Sequence, residues 1–455
     1  MSSSNVDPDS LADALFPLPF RVLALVGVGI MGWATNLHGL HAYNIDVVSA
    51  MDLRTEAYPP NSPRTRRWNS YRHRTSPPHA TIYALSAVYV IWLFVTWLIY
   101  ASAMHGVPET ADAFKYVVSV AILVIIAALI CPFDILFKRD RDQFLSALSR
   151  CVFPAKSSPV LFADVVFADI FTSFAKVLGD CWLSLWMLLP GNSLLHRSHG
   201  PDWTWWVLPS VMSLPYLVRF RQCLIEYFLP PNESSRPLFN ALKYATSFPV
   251  IYLSAAQRTV LLGFVQEKGK RVFDDTWHGE DRLFRLWLLS AIINSLYSFW
   301  WDTTYDFGLN LLKLKDRDSS QVSPRRPLIL PHVNSDLPLL TRGNSHDVSE
   351  GIVRGHRKPR YQHLRPILLY PVLVYPMLVF VNFILRMTWS IKLSSHLHLN
   401  SDGSYNIFFV EVAEIVRRWL WVFVRVEWEV IRKAQEGSSK IGPEHSPESP
   451  SDVTD

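Results

Sequence analysis

The sequence predicts an all-α integral membrane protein, a polytopic bundle of about eight to ten transmembrane helices. Three observations predict it. Only 18% of the 455 residues are charged, against about 25% in soluble proteins. Hydrophobic residues make up 49%, including 17 Trp, 17 Tyr and 26 Phe. Those residues also gather in blocks of roughly 20 to 30, the length that crosses a hydrocarbon core of about 30 Å as helix.

Nine blocks can be traced, at 20–43, 79–104, 114–137, 160–190, 203–228, 237–266, 282–312, 366–392 and 405–433. The first three are almost purely apolar, as in SAVYVIWLFVTWLIY and VVSVAILVIIAALI. The later six are apolar but carry charges. Between the third and fourth, RDQFLSALSRCVFP at 140–153 is too charged to span. It reads as an amphipathic helix lying in the interface or dipping in as a short tenth helix.

The hydrophilic pieces set the expected domain plan. A short polar leader covers 1–19, without the basic start of a cleavable signal. N-terminal helices with basic loops follow over 20–158, then a helical core over 159–433, and an acidic, disordered tail over 434–455. Segment 45–78 carries Arg64, Arg66, Arg67, Arg72 and Arg74, and segment 138–158 carries Lys138, Arg139, Arg141 and Arg150. The insert 313–365 is rich in Ser, Pro and Arg and lacks aliphatic periodicity, so it reads as disordered. With nine spans, these basic segments and the C-terminus share one side, which the positive-inside rule makes cytosolic. A tenth crossing would move the N-terminus to the cytosol as well. The four cysteines show no metal-ligand or redox spacing, and no basic stripe with RNA-type aromatics occurs, which argues against nucleic acid.

The charges inside apolar blocks carry the functional signal. A cation at mid-bilayer costs roughly 3 kcal/mol on insertion scales. Lys243, Arg386, Arg417 and Arg418 sit deep in their blocks, as do the anions Asp169, Asp302, Asp306 and Glu414. Spacing predicts that Asp302 and Asp306 share a helix face, that Asp169, Thr172 and Lys176 share another, and that Glu414 pairs with Arg417 or Arg418. Arg386 and Trp389, at i and i+3, place an indole beside a guanidinium. The plain alternative is ion pairs that stitch helices together. It is favoured for Arg219, Arg221, Arg258 and Arg425. Several deep cations together fit an anion path better, because guanidinium and ammonium donors match carboxylate or phosphate oxygens.

Six ordered motifs resemble the EXS-domain family. They are FADIFTSFAKVLGD, LPYLVRFRQCLIEYF, FNALKYATSF, SLYSFWWDTTYDFGL, ILRMTWSI and EVAEIVRRWLWVFVRVEWE, spread over about 160–430. The family includes phosphate exporters of the retrovirus-receptor type. The resemblance implies an EXS-type helical bundle that passes inorganic phosphate. It implies that Asp169 with Thr172, Lys243 with Tyr244, Asp302 and Arg386 surround the anion. It further implies that Trp389 gates the path and that Arg417 and Arg418 form a second site, with Asp306 and Glu414 as supporting partners. This chain departs from the exporters at Thr172, where they carry Asn. It also has Val381-Asn382 where an acidic pair often stands, and no room for an SPX regulatory domain. In this it resembles the SPX-less branch, which implies a Golgi membrane protein linked to phosphate recycling and glycosyltransferase retention.

Three functions follow as expectations. The first is a Golgi phosphate exporter, moving phosphate released by lumenal glycosylation to the cytosol. The second is a trafficking scaffold whose cytosolic loops and tail bind coat adaptors or glycosyltransferase tails. The third, a membrane enzyme, is disfavoured because no HExxH, G-x-S-x-G or P-loop occurs. No cofactor or metal is expected, and the partners are phosphate and membrane lipid.

Overall fold

In the computed structural model, every regular element among the described residues is a helix or a tight turn. The structure describes residues 13–45, 47–51, 78–105, 107–154, 159–195, 204–230, 232–268, 282–309, 364–365, 367–387 and 403–440. Trp389, most of segment 45–78, nearly all of the insert 313–365 and the last residues of the tail lie outside them.

The N-terminal helices form where the sequence places them. Helix α1 spans Leu18–Ala42 and α2 spans Pro78–Met104, both with Pro in or beside the first turn, where its missing N–H costs nothing. Helix α3 covers Lys115–Ile130 and the amphipathic α4 covers Lys138–Val152. Arg141 of α4 is buried, and its guanidinium donates to the carbonyls of Ala128 and Cys131, at the end of α3, and of Ile135. The Ala128 and Cys131 carbonyls, at the end of α3, have no partner inside that helix, so Arg141 caps α3 from its neighbour.

Two of the nine expected blocks are broken. Block 160–190 divides into α5, Phe162–Ser173, and α6, Ala175–Leu188, at Phe174. The Phe174 ring lies so close to α1 that a Cβ on Gly29 would meet it at 2.5 Å. Block 237–266 divides into α8, Arg236–Ala245, and α9, Ser247–Lys268. Pro249 lies in the first turn of α9, where a proline's missing N–H costs no helix bond. Thr246 and Ser247 also turn their hydroxyls to Asn294 Oδ1, at 2.8 and 3.2 Å. Between these pairs, α7 spans Thr204–Phe228 with Pro209 and Pro215 inside it.

Helix α10, Arg282–Trp301, runs into a π-turn over Asp302–Asp306. The Phe307 amide donates to the Asp302 carbonyl at 2.8 Å, the i to i+5 bond of a widened turn. Gly308 then takes φ +63° beneath the Trp428 indole, where a Cβ would meet ring atoms at 2.5 Å. Gly308→Ala is therefore expected to destabilise the protein by about 2–4 kcal/mol, from left-handed backbone strain and overpacking together. Thermal unfolding of the purified variant measures this, and an unchanged midpoint would show that the turn relaxes.

Helix α11 covers Val374–Arg386 and α12 covers Gly403–Lys440, running past the end expected at 433. Helix α12 packs against α1, α5 and α11, while α7 packs against α5, α6, α8 and α9. Phe162, Phe307, Tyr375, Trp421, Val422 and Val426 form the main apolar core between these elements. Facing outward instead are Ile91 and Phe94 of α2 and Leu123 and Ile130 of α3, each more than half exposed. Apolar groups outside and charges inside are what lipid as a solvent demands. Among the described residues, three helices are long and apolar enough to cross a membrane, Leu18–Ala42, His79–Met104 and Arg282–Asp306, with Lys115–Ile130 and Val374–Arg386 as shorter apolar helices.

A latch at the far end of the core holds the π-turn. Arg365 Nη1 donates to the Phe307 carbonyl at 2.9 Å and its Nη2 pairs with the buried Glu427. Glu427 Oε1 accepts from Tyr375 at 2.5 Å and from the Leu369 amide at 2.7 Å. One buried ion pair thus ties the π-turn segment to α11 and α12.

Candidate functional site: a buried charge network

The eight residues expected to line a path meet in one connected network where α5, α7, α8, the π-turn, α11 and α12 converge. Asp302 lies at its centre with no solvent exposure. Its Oδ2 accepts from Arg386 Nη2 at 2.6 Å and Nε at 3.1 Å, with Arg417 Nη1 at 3.9 Å. Its Oδ1 lies 3.6 Å from Lys243 Nζ. Asp306, four residues on, binds the other side of the same ammonium, at 3.3 Å, and accepts from Trp421 Nε1 at 3.2 Å. Lys243 also lies above the Tyr244 ring, 4.8 Å from its centre. Asp306 therefore forms an ion pair with the central lysine, the supporting partner expected of it.

A second half of the network surrounds Asp169. Tyr244 donates to Asp169 Oδ1 at 2.6 Å, and Arg219 Nε donates to the same oxygen at 3.1 Å. Arg219 Nη1 reaches Gln222 Oε1 at 2.6 Å. Thr172 donates to the Asp169 carbonyl at 2.7 Å and accepts from Arg418 Nη2 at 3.0 Å. Arg418 also reaches Ser173 Oγ at 3.3 Å and lies 4.5 Å from the centre of the Trp421 ring. Arg417 turns its fork to Glu414, at 2.9 and 3.1 Å. Of the two pairings expected for Glu414, the structure forms the one with Arg417.

Two expectations change. Lys176 does not share a face with Asp169 and Thr172, because the break at Phe174 rotates it away. It pairs instead with Asp180 and lies 3.5 Å from Glu411. Arg219, read as a charge that stitches helices together, does so, 2% exposed and joining Asp169 of α5 and Tyr244 of α8. Its neighbour Arg221, expected in such an ion pair as well, is exposed and donates instead to the Val152 carbonyl. Residues two apart face opposite ways on a helix, and the i, i+3 pair Arg219 and Gln222 was the available signal for which arginine points inward.

Five cations thus face four carboxylates. Among the described residues, Arg417 Nη1 and Arg418 Nη1 are buried without a hydrogen-bond partner. A buried charged donor left unmade is costly. Two such donors beside Lys243 and Arg386 make a setting for a compact oxyanion, which can accept from several of them at once. The acidic residues hold the cations in place and keep the surplus of positive charge small.

The sequence profile described as the EXS family matches residues 16–431. The chain belongs to the EXS family. Among curated EXS relatives, Protein ERD1 homolog 1 of Schizosaccharomyces pombe is 25% identical over 418 residues, 91% of each chain. Protein ERD1 of Saccharomyces cerevisiae is 25% identical over 420 residues, 91% of this chain and 92% of its own. Human Solute carrier family 53 member 1 is 31% identical over 198 residues, 40% of this chain and 26% of its own. Together with the candidate spans and the inside-out charge pattern, EXS membership makes this a multi-pass membrane protein.

Proposed function

We propose that this EXS protein passes inorganic phosphate through its helical core, from the Golgi lumen to the cytosol. The observation that carries the reading is the buried network itself, in which Arg417 Nη1 and Arg418 Nη1 lack hydrogen-bond partners among the described residues beside Lys243 and Arg386. Phosphate offers several acceptor oxygens and matches such forked donors. The carboxylates temper the attraction, as a conducting site needs binding strong enough to admit an ion and weak enough to release it. Likeness along nearly the whole chain to ERD1 proteins, and over part of it to a solute carrier, agrees with this reading. In the Golgi, phosphate released during glycosylation would be its cargo, and glycosyltransferase retention would follow from its removal.

Radiolabelled phosphate efflux from liposomes holding the purified protein tests this. Wild type is expected to pass phosphate, and folded Arg386→Ala to lose most of the flux. Equal leakage from both, or equal silence, would make the charges helix glue and turn attention to a retention scaffold acting through cytosolic loops.

A further inference from the structure

Behind Arg417 lies a small cavity lined by Phe307, Leu378, Asn382, Arg417, Leu420 and Trp421, with room for about one water-sized group. Its walls are apolar except for Arg417 and Asn382. Asn382 is 5% exposed, and neither its Nδ2 nor its Oδ1 has a hydrogen-bond partner among the described residues. Arg417, also 5% exposed, brings Nη1, likewise without a hydrogen bond. A buried amide with both ends unmade is unfavourable, and a leucine of similar shape would avoid that cost. The position sits one turn before Arg386 on α11, and the same cavity touches Trp421, which donates to Asp306.

We propose that Asn382 and Arg417 form a subsite for a single oxygen of the passing anion, and that Asn382 makes the site prefer phosphate over sulfate. The inference rests on the phosphate reading above. At neutral pH phosphate keeps at least one P–OH, while sulfate has only acceptor oxygens. Arg417 can donate to either anion and cannot tell them apart. Asn382 supplies both a donor, Nδ2–H, and an acceptor, Oδ1. The acceptor takes the P–OH hydrogen and would face a bare, repelling oxygen of sulfate. A site built to hydrogen-bond a substrate hydroxyl rejects analogues without it, because its own polar group is left unpaired.

The experiment compares wild type, Asn382→Leu and Asn382→Asp in liposomes, measuring labelled phosphate and labelled sulfate flux with the unfolding temperature of each protein. Asn382→Leu is expected to unfold at or above the wild-type temperature. Its half-saturating phosphate should rise about tenfold, the loss of one hydrogen bond, and the preference over sulfate should fall by the same factor. Asn382→Asp keeps an acceptor but loses the donor and adds negative charge beside Arg417. It should weaken both anions while keeping their ratio. A stable Asn382→Leu with wild-type phosphate affinity and selectivity overturns the subsite. Should Asn382→Leu unfold early, unchanged affinities in Asn382→Asp would overturn it equally. A wild type that passes neither anion defeats the transport reading and this inference together, whereas a wild type that passes phosphate as Asn382→Leu does defeats the inference alone.

Discussion

Lys243→Ala is expected to reduce phosphate efflux by about a hundredfold or more, the largest functional effect of any single change. The ammonium lies 3.3 Å from Asp306 and 3.6 Å from Asp302, between the two carboxylates of the π-turn. Removing it brings the five cations down to parity with the four carboxylates and leaves two buried acids facing each other. Truncating one partner of a buried charge pair costs roughly 2–5 kcal/mol, and a hundredfold loss in rate is about 2.7 kcal/mol. Stability falls for the same reason, so the variant is compared with Lys243→Ala/Asp306→Asn, which restores the original surplus of one positive charge. The double variant is expected to regain most of the unfolding temperature and little of the efflux. If folded Lys243→Ala passes phosphate at the wild-type rate, the lysine is structural.

Arg219→Leu is expected to cause the largest loss of stability, about 3–5 kcal/mol, the cost of leaving a buried charge without its partner. Arg219 and Asp169 are each 2% exposed, so water screens neither. Without the guanidinium, Asp169 Oδ1 keeps only the Tyr244 hydroxyl among the hydrogen bonds it receives at this site. The second change Asp169→Asn, added to Arg219→Leu, removes the stranded charge and is expected to restore most of the loss. Unfolding of the purified variants in detergent measures both. A single variant as stable as wild type would mean that Asp169 is balanced by other cations, with Arg418 the next candidate.

Helices α1 and α2 were legible to within two residues, because a purely apolar block has one way to satisfy its backbone in lipid. The deep charges Lys243, Asp302 and Arg386 were legible as a group, since each interrupts an apolar run at a steep solvation cost. Their partners were not. Spacing along a helix predicted that Asp302 and Asp306 share a face, and the π-turn keeps that, with both reaching Lys243. The same rule failed for Lys176, where the helix breaks between Thr172 and the lysine. Arg219 was legible as a stitching charge, but its partner Asp169, fifty residues earlier on α5, was not.

The sequence alone determined the class, an inside-out helical bundle, and the supply of buried charge from which a path could be built. Composition and block length decide those, because the free energy of moving residues into lipid is a local property. Only the tertiary structure decided where blocks 160–190 and 237–266 break, which carboxylate each cation meets, and which donors are left without partners. Those outcomes depend on neighbours far away in the chain, the Phe174 ring against Gly29 and the Thr246 hydroxyl on Asn294. Periodicity describes which side of a helix a residue occupies, while packing chooses what waits on that side.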